Sequence, residues 1–283
     1  MKGKDDMNLM LINMIKRPFQ LIRREWLRAR IPLERSTVKY VAHRGLSAEA
    51  PENTVRAFEL AAERHFDAME TDIRRTKDHK LVLMHDASLK RMCGVDQLVE
   101  NLTYDELKAI PVTGGNHPER YVDDPKAQYV PLLTEYLEIC RDSGMIPMME
   151  LKDNWNVPEP LDDEYLSDIL SQVRTIMGES PVIFVSFNLG SLVAMKRLAA
   201  EQNMENVTLY HLVRKVSELD LTWYLKEGIH LSLQGKANKI SDIRKVNKAG
   251  LRTVVWTVDN KDQARLYIWG KVEWVASNGQ LWS

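Results

Sequence analysis

Cysteine is scarce in this chain: its 283 residues hold two, Cys93 and Cys140. That excludes a disulfide framework as the basis of the fold and makes a reducing compartment the simpler expectation. Neither cysteine sits in a C-x-x-C pair, so a thiolate zinc site has no support. An excess of charge of one sign is missing too. Lys and Arg number 39 against 40 Asp and Glu, for a formal net charge of -1. This removes the global basic field of a nucleic-acid binder and the acidic excess of a solvating tail. No run of about 18 or more apolar residues occurs, so an ordinary transmembrane helix is not expected. The apolar stretch Met7–Ile15 follows Asp5 and Asp6 and precedes no small-residue cleavage site, which speaks against a signal peptide. These absences lead to the expectation of a cytoplasmic protein. Internal repeats and low-complexity segments are also lacking.

What is present is ordinary globular material, 44% hydrophobic and 28% charged. Residues 1–37 stand apart as a basic amphipathic arm. Lys16, Arg17, Arg23, Arg24, Arg28 and Arg30 face one acid, Glu25, and interleave with Phe19, Leu21, Ile22, Trp26 and Leu27. Pro18 interrupts the pattern. Two expectations follow: peripheral contact with an anionic membrane through residues 7–31, or a helix packed on the outside of the main body or on a partner. Oligomeric state is not legible.

Residues 38–283 read as one domain. Short apolar runs at 38–42, 68–74, 81–85, 145–151, 182–187, 207–212, 229–233, 253–256 and 272–276 alternate with amphipathic stretches. Several runs are apolar throughout, as strands buried on both faces should be. Strand–helix alternation implies a parallel sheet. Nine strands exceed an eight-stranded barrel by one. Residues 74–80 are too short for a crossover helix, so 68–74 and 81–85 must form a hairpin whose second arm is antiparallel. The expected fold is therefore a TIM (β/α)8 barrel with a β-hairpin and a capping insertion, about residues 87–130, after strand 2. Within the insertion one helix start is evident, Leu102–Leu107.

Charged residues cluster at the C-terminal ends of these strands, the active-site face of such a barrel. His43 and Arg44 end strand 1. Glu70 and Asp72 are two apart in strand 2 and share a face. Across the hairpin, residue 72 should pair with a residue near 84, which brings His85 beside the carboxylates. Glu150 and Lys152 share a face at the end of strand 4. Two or three carboxylates facing a barrel interior need positive compensation, and an all-oxygen set suits a hard divalent cation, Mg2+ or Ca2+. Trp256 has the phase to line the barrel mouth. Pro51-Glu52-Asn53-Thr54 reads as a helix start, with Asn53 or Thr54 as the cap.

In order, His-Arg-Gly at 43–45, Pro-Glu-Asn-Thr at 51–54, Glu-x-Asp at 70–72, His-Asp at 85–86, Glu-x-Lys at 150–152, Ser186-Phe187 and Trp-Thr-Val at 256–258 resemble the glycerophosphodiester phosphodiesterase family. The resemblance spans about residues 38–278. It implies metal-dependent hydrolysis of glycerophosphodiesters to glycerol phosphate and an alcohol. By matching position it implies Glu70, Asp72 and Glu150 as metal ligands and His43 and His85 as the acid–base pair. Arg44 and Lys152 would bind phosphate, and Trp256 is expected against the substrate's alkyl segment. Which histidine is acid and which base stays open. Alternatives are a lipid-directed activity, of lysophospholipase D or sphingomyelinase D type, and a barrel that binds phosphodiesters without cleaving them. The chain departs from the family at two places. Asp259 stands where asparagine is frequent, and Ala276-Ser277-Asn278-Gly279 replaces a Thr-Asp-x-Pro-like turn.

Overall fold

Strands that are apolar on both faces can be buried by bending the sheet into a ring and packing helices around it. The computed structural model, which describes residues 23–33, 38–152 and 160–282, shows that arrangement. Among the described residues the strands are β1 (Lys39–Ala42), β2 (Ala68–Arg75), β3 (Leu81–Leu83), β4 (Ile146–Leu151), β5 (Val182–Ser186), β6 (Val207–Val213), β7 (Ile229–Gln234), β8 (Thr253–Trp256) and β9 (Trp274–Ser277). All but β3 are mutually parallel, and β1 closes the ring between β9 and β2. Helices fill the connections, as the pattern predicts.

The ninth strand is where the hairpin argument places it. β1 is short and pairs only with the start of β2, Val41 opposite Ala68 and Ala42 opposite Met69. The end of β2 is thus free on that side, and β3 occupies it antiparallel, with Ile73 opposite Leu83 and Arg75 opposite Leu81. The Met84 N–H donates to the Asp72 carbonyl at 3.0 Å, so residue 84 does meet residue 72.

Alternation along each strand divides the core into two. Val41, Met148, Val185, Leu212 and Val254 fill the barrel interior. Tyr40, Ala42, Met149 and Phe184 point outward to the helices. The phase that turns Met148 inward also turns Glu150 inward, and Glu70 and Asp72 follow from Ala68.

A tyrosine of the helical layer reaches into the sheet. Helix Leu133–Ser143 buries Leu133, Tyr136, Leu137 and Cys140, one stripe at helical spacing. The Tyr136 hydroxyl donates to the Met69 carbonyl at 2.5 Å and accepts from the Met148 N–H at 3.1 Å. It bridges β2 and β4 one residue below Glu70, opposite Pro147, which has no N–H to offer.

The insertion holds more order than its polar sequence suggests. Besides helix Tyr104–Lys108, started by Thr103 in a capping box with Glu106, it has a short helix, Lys90–Cys93, ended by Gly94 in the left-handed region. Its apolar residues Leu89, Met92, Val99, Leu107, Val112 and Val130 form their own small core over Val82 and Met84. Asn116 and Tyr121 donate to the carbonyls of Ser47 and Glu49, at 2.7 and 3.0 Å.

Of the arm, residues 1–22 and 34–37 lie outside the described residues. Residues 23–30 are helical and lie on the outside of the barrel. Leu27 is buried, and Trp26 packs edge-on to Trp269. Arg24 and Arg28 both pair with Asp262, the latter at 2.9 Å. No helix among the described residues is long and apolar enough to cross a membrane.

Tyr136→Phe removes the bridge and leaves a buried carbonyl and a buried N–H without their partner. The expected cost is about 1–3 kcal/mol of unfolding free energy, read from urea denaturation. A cost below about 0.5 kcal/mol would mean that the two strands close directly on each other.

Candidate active site

The barrel's C-terminal mouth opens into a cavity of about 1400 Å3, with His43, Glu70, His85, Glu150, Lys152 and Trp256 in its wall. The structure brings together every residue expected there. Glu70, Asp72 and Glu150 are all buried, with one carboxylate oxygen of each within 4.8 Å of the others. The pleat explains this: Asp72 lies directly opposite Glu150 in the β2–β4 ladder, and Glu70 is two residues back on the same face.

Three carboxylates so close cannot share their charge equally. Burial and the neighbouring Asp72 carboxylate hold Glu70 well above the usual carboxylate range. Burial lifts Glu150 to about 7 against the pull of Lys152. Burial pushes Asp72 up as well, but Lys152, Arg44 and His85 outweigh it and hold Asp72 below its ordinary value. The negative charge therefore settles on Asp72. Its Oδ2 accepts from Asn53 Nδ2 at 2.7 Å and lies 3.4 Å from Arg44 Nε. Its Oδ1 is buried and lies 3.1 Å from the Lys152 ammonium, without a hydrogen bond. Lys152 also donates to Glu150 at 2.7 Å. With all three carboxylates ionised, Lys152 and Arg44 would still leave one negative charge over. That residue of charge, the all-oxygen donor set and the unbonded Asp72 Oδ1 fit a hard divalent cation.

The His-Arg-Gly turn is built to approach closely. Arg44 and Gly45 both have positive φ, 56° and 75°. The turn aims the Arg44 N–H at Glu70 Oε2, 2.9 Å away. A Cβ on Gly45 would come within 2.7 Å of the Ala57 backbone, so only glycine fits against helix Val55–Glu63.

His43 Nε2 lies 4.0 Å from Glu70 Oε2, and its Nδ1 is 2.7 Å from Asn278 Oδ1. Burial, with help from Arg44, pushes its pKa down to about 4. His85 also falls below its ordinary value through burial, although the Asp72 and Asp86 carboxylates oppose the shift. Its Nδ1 is 2.6 Å from Asp86 Oδ1. Arg74 grips the His85 carbonyl at 2.6 Å and so holds the strand end that carries the ring. Trp256 packs edge-on to Phe187, ring centroids 5.8 Å apart, on the apolar side of the mouth.

Several residues play parts at the site that their place in the sequence does not reveal. Asn53 does not cap the helix; Thr54 does. Asn53 instead joins Asp72 to Thr71, whose hydroxyl donates to Asn53 Oδ1 at 2.8 Å. Glu52 accepts from Arg44 at 2.8 Å and from Arg91 at 2.7 Å. Arg91, on the insertion's first helix, also donates to Asp86 at 2.6 Å. Alternating charges thus run from Asp72 through Arg44, Glu52 and Arg91 to Asp86 and His85.

Residues 43–279 match the sequence model of the glycerophosphoryl diester phosphodiesterase family. A glycerophosphodiester phosphodiesterase of Bacillus altitudinis is 32% identical over 60% of this chain and 66% of its own. That of Caldanaerobacter subterraneus subsp. tengcongensis is 25% identical over 84% and 93%. Among solved structures, an Oleispira antarctica phosphodiesterase in complex with the product sn-glycerol-3-phosphate aligns with a TM-score of 0.74. It is 22% identical and covers 89% of this chain and 95% of that one, a likeness of fold.

The depressed His43 pKa has a sign that can be measured. The unfolded ring takes a proton near 6.5 and the folded ring near 4. Acidification between those values therefore favours unfolding, by up to about 1.4 kcal/mol per pH unit. Glu70 and Glu150, raised in the metal-free fold, act the opposite way, so a comparison is needed. Metal-free wild type should lose more stability than His43→Gln over this range in urea denaturation. Equal losses would remove the assignment.

Proposed function

The chain belongs to the glycerophosphoryl diester phosphodiesterase family and is a phosphodiesterase, and from that premise we propose how its residues divide the work. The substrate is a glycerophosphodiester, and the products are glycerol phosphate and an alcohol. The named relatives carry this activity in their names, and the Oleispira structure holds sn-glycerol-3-phosphate. Glu70, Asp72 and Glu150 would hold a divalent cation, Mg2+ or Ca2+. When bound, such a cation supplies Lewis-acid neutralisation of phosphoryl oxygen charge. Arg44 and Lys152, both already at the carboxylates, present the remaining positive charge to the phosphate.

The observation that carries the proton chemistry is the difference between the two histidines' partners. Each ring is held at Nδ1, which leaves Nε2 for the reaction. Behind His43 stands a neutral amide, Asn278; behind His85 stands a carboxylate, Asp86. A carboxylate stabilises an imidazolium and an amide does so far less. His85 is therefore assigned as the acid that protonates the leaving alkoxide. His43, neutral, is assigned as the base that takes the proton of the attacking hydroxyl, from water or from the substrate's own glycerol.

A second reading keeps the site and makes the substrate a lipid. Met148, Val185, Leu212 and Val254 floor the cavity beneath Phe187 and Trp256. That apolar wall suits the acyl chain of a lysolipid, which stays on the phosphate-bearing product while the head-group alcohol leaves. Membrane contact through residues 7–31 goes with this reading. Arg24 and Arg28 are committed to Asp262, which leaves the contact to the other basic residues.

Glycerophosphodiester turnover should stop on chelation and return with Mg2+ or Ca2+. His43→Ala and His85→Ala should each lower kcat by about 10²–10⁴-fold. Unchanged turnover in either variant, or in EDTA, would overturn the mechanism. On lysolipid, no turnover removes the second reading. Co-sedimentation with anionic vesicles should weaken when residues 1–22 are deleted; no binding by the full chain removes the membrane contact.

A further inference from the structure

The chain's two departures from its family, Asp259 after β8 and Asn278 after β9, touch each other. Asp259 Oδ2 accepts from Asn278 Nδ2 at 2.8 Å, and Asp259 Oδ1 accepts from the Asn278 backbone N–H at 2.8 Å. The Ser277 hydroxyl adds a contact to Oδ1 at 3.2 Å. An ionised carboxylate can only accept, so the Asn278 amide has one tenable orientation. Its NH2 faces Asp259 and its Oδ1 faces His43. The reverse would set a carbonyl oxygen against a carboxylate.

The amide oxygen in turn decides the imidazole. It lies 2.7 Å from His43 Nδ1, and an acceptor there demands a proton on that nitrogen. The Ser47 hydroxyl, 3.0 Å from the same oxygen, also has the His43 carbonyl as an acceptor at 2.8 Å. The parts are held in place by the closing seam of the barrel. Ala42 pairs with Ser277, the His43 N–H donates to the Ser277 carbonyl at 2.9 Å, and the Ala48 N–H donates to the Asn278 carbonyl at 2.8 Å.

We propose that Asp259 and Asn278 are positioning residues that lock His43 in the tautomer protonated on Nδ1, with the Nε2 lone pair turned to the carboxylate-lined cavity. The inference deepens the assignment of His43 as base and rests on it for its catalytic consequence. The proton balance is simple. Nε2 takes one proton from the attacking hydroxyl, the ring becomes an imidazolium, and the Nδ1–H stays on the amide oxygen, which accepts no proton itself. The same tautomer keeps the Nε2 proton away from Glu70, whose Oε2 already accepts from the Arg44 N–H.

The test uses the full chain labelled with 15N-histidine, at neutral pH without added metal. Long-range proton–nitrogen correlation, with His43 assigned by its loss in His43→Gln, should show Nδ1 protonated and Nε2 bare. In Asp259→Asn a neutral amide faces a neutral amide and the orientation is no longer forced. That variant should show mixed tautomers and a kcat lower by about 10–100-fold, with KM little changed. Asn278→Asp sets two carboxylates together and should lose activity similarly. The double exchange Asp259→Asn/Asn278→Asp again offers Nδ1–H an acceptor, itself held by a donor. It should recover the tautomer of the neutral ring and, at a pH high enough to keep the carboxylate-backed ring unprotonated, a kcat above that of either single exchange. A wild-type spectrum with the proton on Nε2 overturns the proposal, as does a double exchange no better than the single ones. The spectrum decides the tautomer whether or not His43 carries the proton in turnover, so the two readings fail separately.

Discussion

Burying three carboxylates within 4.8 Å of one another is the constraint on which the rest of this structure depends. Left alone, such a trio would take up protons or open to water. The fold answers with positive charge and directed N–H groups. Lys152 sits between Glu150 and Asp72, Arg44 lies behind Asp72, the Arg44 N–H is turned onto Glu70, and Asn53 caps the remaining side of Asp72. Each of these donors also has to be held, and the need for support spreads outward from the trio.

That spread ties the insertion to the site. Arg44 requires Glu52, Glu52 is shared with Arg91, and Arg91 closes on Asp86, the partner of His85. Arg91 belongs to the insertion's first helix, so the segment after the hairpin helps to orient the His85 ring as well as lining the mouth. The pairs on this path grow more exposed with distance from Asp72, and solvent screening weakens their worth accordingly. Their main effect is geometric: they set the rings and the guanidinium in one arrangement.

On the opposite side the support comes from barrel closure. β1 and β9 are the first and last strands, and their pairing places Asn278 behind His43. β1 is short, which leaves the end of β2 on the same edge to β3 and so delivers His85 further along that edge. The two histidines therefore reach the trio from neighbouring strands by two different devices, a closing seam and a hairpin.

Much of this was legible in the residues themselves. Period-two alternation in 68–74 and 146–151 puts Glu70, Asp72 and Glu150 on inward faces, because a strand's pleat permits nothing else once its apolar neighbours are buried. The seven-residue link after residue 73 forces a hairpin because no crossover fits in it. The glycine of His-Arg-Gly marks a close backbone approach. Tertiary structure alone decided the partners. Nothing local in Glu52, Asn53, Arg91, Asp259 or Asn278 distinguishes a surface ion pair or a turn from a group that orients a histidine. Nor does it show that two departures some twenty residues apart meet in one hydrogen-bonded pair. The sequence by itself determined which face each strand residue takes, since that depends only on neighbours along the chain. Which side chain stands behind each ring depends on how the barrel closes, and that is settled only in three dimensions.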